Sequence, residues 1–152
     1  MLFSSLTFLF IFMPLVFIVY YLVNNRTYKN IVLLVFSLIF YAWGEPKFIY
    51  LMLILLIINY FLTILMDINE GKKRKNYLFL IILINLSTLF YFKYFNFTVE
   101  NINSIFKSNI NSNVVLPIGI SFYLFQIMSY VIDVYNKNVK VQKNFLLLST
   151  YI

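Results

Sequence analysis

The chain has 152 residues and contains neither cysteine nor histidine. The first absence excludes disulfides, thiolate metal sites and a cysteine nucleophile. The second removes the commonest general base and the commonest metal ligand. Charge is scarce, at 11% of residues, and acidic residues number only five. No Ser–His pair, no paired carboxylates and no metal-ligating cluster can be assembled from what remains. The residues by themselves therefore define no reaction and no catalytic group.

What is present is apolar. The chain is 62% hydrophobic and 21% aromatic, with a mean hydropathy of +0.88. A water-soluble domain of this length cannot cover so much apolar surface, because even a good core leaves many side chains partly outside. The lipid bilayer has to be the solvent, and the fold class that follows is an all-α, polytopic transmembrane helical protein. The net charge of +7 is no nucleic-acid footprint. The basic residues lie in short loops between apolar runs, where they set orientation and meet lipid headgroups, so no nucleic-acid partner is expected.

The apolar runs divide a single membrane domain, 1–152, into spans at about 6–23, 31–43, 48–66, 77–92 and 114–132, with another starting at 145–152. The first run carries no preceding basic residue and no small-residue cleavage pattern, so it reads as a retained span with Pro14 in its middle. The second, Ile31–Trp43, holds only 13 residues. That is short for a bilayer core of about 30 Å, and a re-entrant segment is the alternative to a span eked out by a snorkelling Lys29. The last run has gained eight residues when the sequence stops at Ile152, which reads as an incomplete domain.

Loop charges weigh these alternatives. If every run spans, one side receives Arg26, Lys29, Lys72, Lys73, Arg74, Lys75, Lys137, Lys140 and Lys143, and the other receives Lys47, Lys93 and Lys107. Nine against three is a strong positive-inside bias, and it largely vanishes if the second run does not cross. The reading is a multi-pass cell-membrane protein with its N-terminus outside and its basic loops in the cytoplasm. The outer loop from Asn96 to Asn113 is rich in Asn. Its Val99, Ile102, Ile105, Phe106 and Ile110 follow helical spacing, which predicts an amphipathic helix lying flat on the outer surface; a mobile loop is the alternative.

Polar side chains within the apolar runs need a partner or a watery cavity. Asn59 and Asn85 sit mid-run in the third and fourth, where helix–helix hydrogen bonding is the plain explanation. Gln126 lies in the fifth run with Ser121 and Ser129, and Asp133 closes it beside the inner headgroups as an interfacial or ion-pairing residue. Lys93 snorkels among the rings of Tyr91–Phe95. Pro117 marks a helix start, where its missing N–H costs nothing, and Gly119 permits close helix approach. A bent helix at Leu116–Gly119 is the feature most suited to lining a cavity. Asn59, Asn85, Pro117, Gly119, Gln126 and Asp133 are thus the candidate cavity-lining or helix-packing residues, with no metal site.

Four stretches carry a resemblance. They are Met1–Phe8, then Phe40-Tyr-Ala-Trp-Gly-Glu-Pro-Lys-Phe48, then Asn85-Leu-Ser-Thr-Leu-Phe-Tyr-Phe-Lys-Tyr-Phe-Asn-Phe97, and Leu116-Pro-Ile-Gly-Ile-Ser-Phe-Tyr-Leu-Phe-Gln126 running on to Tyr135. In order and spacing they resemble the N-terminal third of the membrane-bound O-acyltransferase (MBOAT) family, in its alginate O-acetylase branch.

The resemblance implies the N-terminal part of a multi-helix MBOAT fold. It implies acyl transfer to hydroxyls of a cell-surface polysaccharide, alginate-like exopolysaccharide in that branch. The alternatives are D-alanyl transfer to teichoic acid in a related branch, or a non-catalytic membrane module. It implies no bound cofactor, but an acyl donor (acetyl-CoA or another acyl thioester) as substrate. Its partners would be the missing C-terminal part of the same chain and an extracytoplasmic polysaccharide-modifying protein. The family's catalytic His lies downstream of the matched region, so no catalytic residue is carried over and this piece alone is expected to be inactive.

Overall fold

The structure is a computed structural model that describes residues 5–107 and 112–152. It is 79% helical with no strand among the described residues. Among the described residues six helices follow one another: α1 (Phe8–Tyr21), α2 (Arg26–Gly44), α3 (Ile49–Ile68), α4 (Gly71–Phe106), α5 (Ile120–Tyr135) and α6 (Phe145–Tyr151). Three of them, α2, α3 and α4, are long and apolar enough to cross a membrane. The chain forms two compact units, Met1–Tyr60 with Gln142–Ile152, and Phe61–Val141.

In the first unit, α1 opens with a π-helical turn, Phe8–Phe12. Pro14 explains it. A proline lacks its N–H and pushes on the carbonyl four residues back, and a widened turn relieves both. The Met13 N–H accordingly bonds the Phe8 carbonyl, five residues back. A π-turn in the backbone thus accompanies Pro14. α1 and α2 form an antiparallel hairpin, because Phe8 and Phe12 meet Phe40 (5.1 and 5.7 Å between ring centroids) while Lys29 lies over Tyr20 and Tyr21 at the other end. Asn25 caps α2 by accepting from the Thr27 N–H at 2.8 Å.

The second run differs from its expectation in length. Arg26–Asn30 are helical too, so α2 has 19 residues and a length of about 28 Å. Polar residues with ordinary helix propensity simply extend the apolar core of the helix toward the headgroups. α6 is capped by the Asn144 side chain and packs against α2, with Leu148 buried and Thr150 Oγ1 donating to the Asn30 carbonyl at 3.4 Å. The Tyr60 hydroxyl donates to the Lys143 carbonyl, and its ring meets Phe145.

In the second unit the dominant element is α4, with 36 residues and a length of about 54 Å. Here the expected outer loop is corrected. Residues 96–106 do not form a separate surface helix or a mobile loop; they continue α4 without a break. Neither proline nor an internal glycine interrupts 72–106, and Asn and Ser only weaken a helix already nucleated. The helix stops at Lys107, in left-handed conformation at φ 49°. Val99 is buried, Ile105 and Phe106 are exposed, and Ile110 lies outside the described residues.

α5 packs along α4. Its buried residues Ile120, Tyr123, Leu124, Ile127, Met128, Tyr130, Val131 and Val134 recur at three- and four-residue spacing and make one stripe. The fifth apolar run is only partly helical. Residues 114–119 precede α5, so the helix has 16 residues and falls short of the 19-residue run. Pro117 does not sit in the first turn of α5 but three residues ahead of it, buried, its carbonyl accepting from the Ile120 N–H.

Candidate functional site

Gly119 is the N-cap of α5 at φ 78°. A β-carbon placed there would meet nothing within 4 Å. Close helix approach is therefore not its role. The left-handed backbone that turns the chain into α5 is, since glycine adopts it without steric cost. Pro117 and Gly119 together make the bend expected at this point.

Asn85 on α4 and Asn59 on α3 are both buried. Each donates from its amide nitrogen at 2.7 Å to the carbonyl one turn back, Ile81 for Asn85 and Leu55 for Asn59. Such a bond keeps the amide dipole satisfied inside an apolar layer, where an unmade one would cost about 1–3 kcal/mol. Gln126 is half-buried on α5, and Asp133 lies seven residues on, on the same face. The Asp133 carboxylate accepts from the Asn138 amide at 3.4 Å, and its backbone carbonyl accepts from the Asn138 N–H at 3.0 Å. Asp133 thus belongs to the end of α5. Asn59 lies in the first unit and the other five candidates in the second.

Two residues that sequence reasoning passed over hold this unit together. The first is Arg74, counted above only as one of a basic cluster. It donates to the Val134 and Tyr135 carbonyls, each at 2.9 Å, and its guanidinium lies 5.3 Å from the centre of the Tyr135 ring. The second is Asn96. It donates to the Val114 carbonyl at 2.7 Å and accepts from the Val114 N–H at 3.1 Å, which pins the segment before α5 to the side of α4. Neither had a local signal, because each acts on a backbone distant in sequence. Lys93 is exposed, with its ammonium 5.6 Å from the Tyr94 ring.

No group of three or more carboxylates or other ligating side chains able to hold a metal occurs among the described residues. Arg74 and Asn96 tie α5 and the segment before it to α4, and Asn59 and Asn85 bond within their own helices. The described residues thus define an all-α membrane protein with three helices long and apolar enough to span a bilayer.

The comparisons with known proteins give the class a direction. The chain is 40% identical over 151 residues to the probable alginate O-acetylase AlgI of Pseudomonas syringae pv. tomato, covering 95% of this chain and 29% of that protein. It is 38% identical to the probable alginate O-acetylase AlgI of Azotobacter vinelandii, over 95% of this chain and 30% of that protein. It is 31% identical over 148 residues to the peptidoglycan O-acetyltransferase of Helicobacter pylori, over 93% of this chain and 28% of that protein. The chain thus spans under a third of the length of these relatives. Two of these three relatives are named for the alginate O-acetylase branch that the four stretches resemble, and the third for O-acetyl transfer to peptidoglycan. No family model matches, and no solved structure does.

Proposed function

We propose that this chain is the N-terminal part of a membrane-bound O-acyltransferase that acetylates hydroxyls of an alginate-like cell-surface polysaccharide. The observation that carries the reading is the 40% identity to an alginate O-acetylase sustained over 95% of the chain. The role of this part is architectural. Its helices build a wall of the transfer site, and the remainder of the longer polypeptide supplies the general base that deprotonates the acceptor hydroxyl for attack on an acyl thioester. An acyl donor such as acetyl-CoA is a substrate, not a resident cofactor. A polysaccharide-modifying partner on the outer side receives or presents the polymer. The likeness to a peptidoglycan O-acetyltransferase supports a second acceptor, the peptidoglycan sugar hydroxyl.

The orientation belongs to the same reading: N-terminus outside, and Arg26–Lys29, Lys72–Lys75 and Lys137–Lys143 in the cytoplasm. The absence of cysteine makes it testable by single-cysteine labelling. An impermeant thiol reagent applied to intact cells should modify N101C and spare K73C; the opposite pattern refutes the orientation. The function is tested by exchange. This chain replaces the matching segment of the Pseudomonas syringae relative, and ester-linked acetate on the polymer is measured. Restored acetylation supports the proposal. A stable, membrane-inserted hybrid that acetylates neither alginate nor peptidoglycan overturns it.

A further inference from the structure

The end of the second unit where α3 stops, α4 begins and α5 stops carries an open hollow of about 270 Å³. Arg74, Lys137 and Lys140 line it on one side of the charge balance, Asp67 and Glu70 on the other, with Val134 and Val139 between them. We propose that this hollow binds the headgroup of a membrane phospholipid that carries both a phosphate and a primary ammonium, as phosphatidylethanolamine does.

Three observations support this occupant. First, place: helices long enough to span a bilayer end here, at the level where headgroups lie, and Ile68 beside the hollow is exposed for contact with acyl chains. Second, unspent donors. Arg74 commits one nitrogen to the end of α5, while its Nε is buried without a hydrogen-bond partner. A guanidinium has donors in a fork that matches phosphate oxygens, and Lys137 and Lys140 add two exposed ammonium groups. Third, unspent acceptors. Glu70 occupies the N-cap position of α4, yet its side chain makes no capping bond, and Asp67 is exposed. A purely anionic headgroup would pair with the cations but leave these two carboxylates unmatched. A zwitterion places its phosphate among the cations and its N–H donors against the carboxylates, so every charge in the hollow gains a partner.

The test is lipid retention. The full chain is reconstituted in nanodiscs holding phosphatidylethanolamine, phosphatidylglycerol and phosphatidylcholine in equal parts, extracted into mild detergent, and the lipids that stay bound are counted by native mass spectrometry. The wild type should keep phosphatidylethanolamine over phosphatidylcholine, whose trimethylated nitrogen has no N–H to give, and over phosphatidylglycerol. K137Q/K140Q should lower retention of both phosphatidylethanolamine and phosphatidylglycerol, by about thirtyfold for the pair. D67N/E70Q should reverse the preference toward phosphatidylglycerol. All four residues are exposed, and circular dichroism confirms that the helices persist. Equal retention of phosphatidylcholine, a wild-type preference for phosphatidylglycerol, or a preference indifferent to D67N/E70Q overturns the proposal. So does displacement of the lipid by soluble phosphoethanolamine at equal concentration, which would make the ligand a free phosphate ester.

Discussion

Arg74 closes the C-terminal end of α5 through Tyr135, giving a hydrogen bond to its carbonyl at 2.9 Å while its guanidinium lies 5.3 Å from the centre of the same residue's ring. The last carbonyls of a helix have no partner within it. At the end of α5 they are met from two sides. Lys137 N–H bonds the Val134 carbonyl and Asn138 N–H bonds that of Asp133, which is a Schellman closure, and Arg74 takes the Tyr135 carbonyl left over. A cation at a helix C-terminus is also favoured by the macrodipole.

Arg74→Ala should therefore destabilise the second unit by about 2–3 kcal/mol, the scale of hydrogen bonds from a charged donor. Arg74→Lys should recover only part, because one ammonium cannot both reach two carbonyls and stack flat on a ring. Thermal unfolding in detergent, followed by loss of helical signal, measures both. Equal stability of Arg74→Ala and wild type would show that water caps α5 as well as the arginine does.

Asn96 supplies a second long-range tie, and its loss should be local. Asn96→Ala removes both bonds to Val114, and hydrogen exchange at the Val114 amide should quicken by about tenfold or more. Asn96→Asp keeps an acceptor for the Val114 N–H and loses the donor to its carbonyl, so its exchange should fall between the two. Because α4 is continuous past residue 96, exchange within Tyr91–Phe95 should not change.

These two residues mark where the sequence stopped being legible. α3 spans Ile49–Ile68 against an apolar run of 48–66, because nothing interrupts the run and its flanks are charged or helix-breaking. α2 was underestimated because the apolar pattern omits Arg26–Asn30, which are helical without being apolar. α4 was cut short for the opposite reason. A change of composition at Asn96 looks like a loop, yet composition does not end a helix unless a breaker does, and the first proline or glycine beyond Gly71 is Pro117. Burial of Asn85 was legible from its place in the run. Arg74 and Asn96 were not, because their partners lie 60 and 18 residues away and no spacing rule reaches that far.

Lys137 stands at φ 62°, just past the end of α5, where glycine is the usual residue. A β-carbon in the left-handed region costs about 1 kcal/mol, so Lys137→Gly should leave the fold intact and raise its stability by up to that amount, less the added freedom of the unfolded chain. The same substitution removes one ammonium from the hollow. Stability should rise while phosphatidylethanolamine retention falls, and a thermal melt beside a lipid count separates the two effects.

Asn85 tests whether a buried amide in α4 serves packing or the transfer site. It is wholly buried, and its amide nitrogen is satisfied by the Ile81 carbonyl of its own helix. A packing role requires shape above all. Asn85→Leu, which keeps the branched shape but is larger, should then cost about 1–2 kcal/mol, whereas Asn85→Ala should cost more, through the space it leaves. A role at the transfer site requires polarity. In the exchanged, longer polypeptide, Asn85→Leu would then abolish acetylation while leaving the melting temperature unchanged. The bond to Ile81 favours packing, so the expected outcome is an Asn85→Leu hybrid that melts near wild type and still acetylates. Loss of acetate incorporation in a hybrid that melts normally would move Asn85 from the frame of the protein to its working surface.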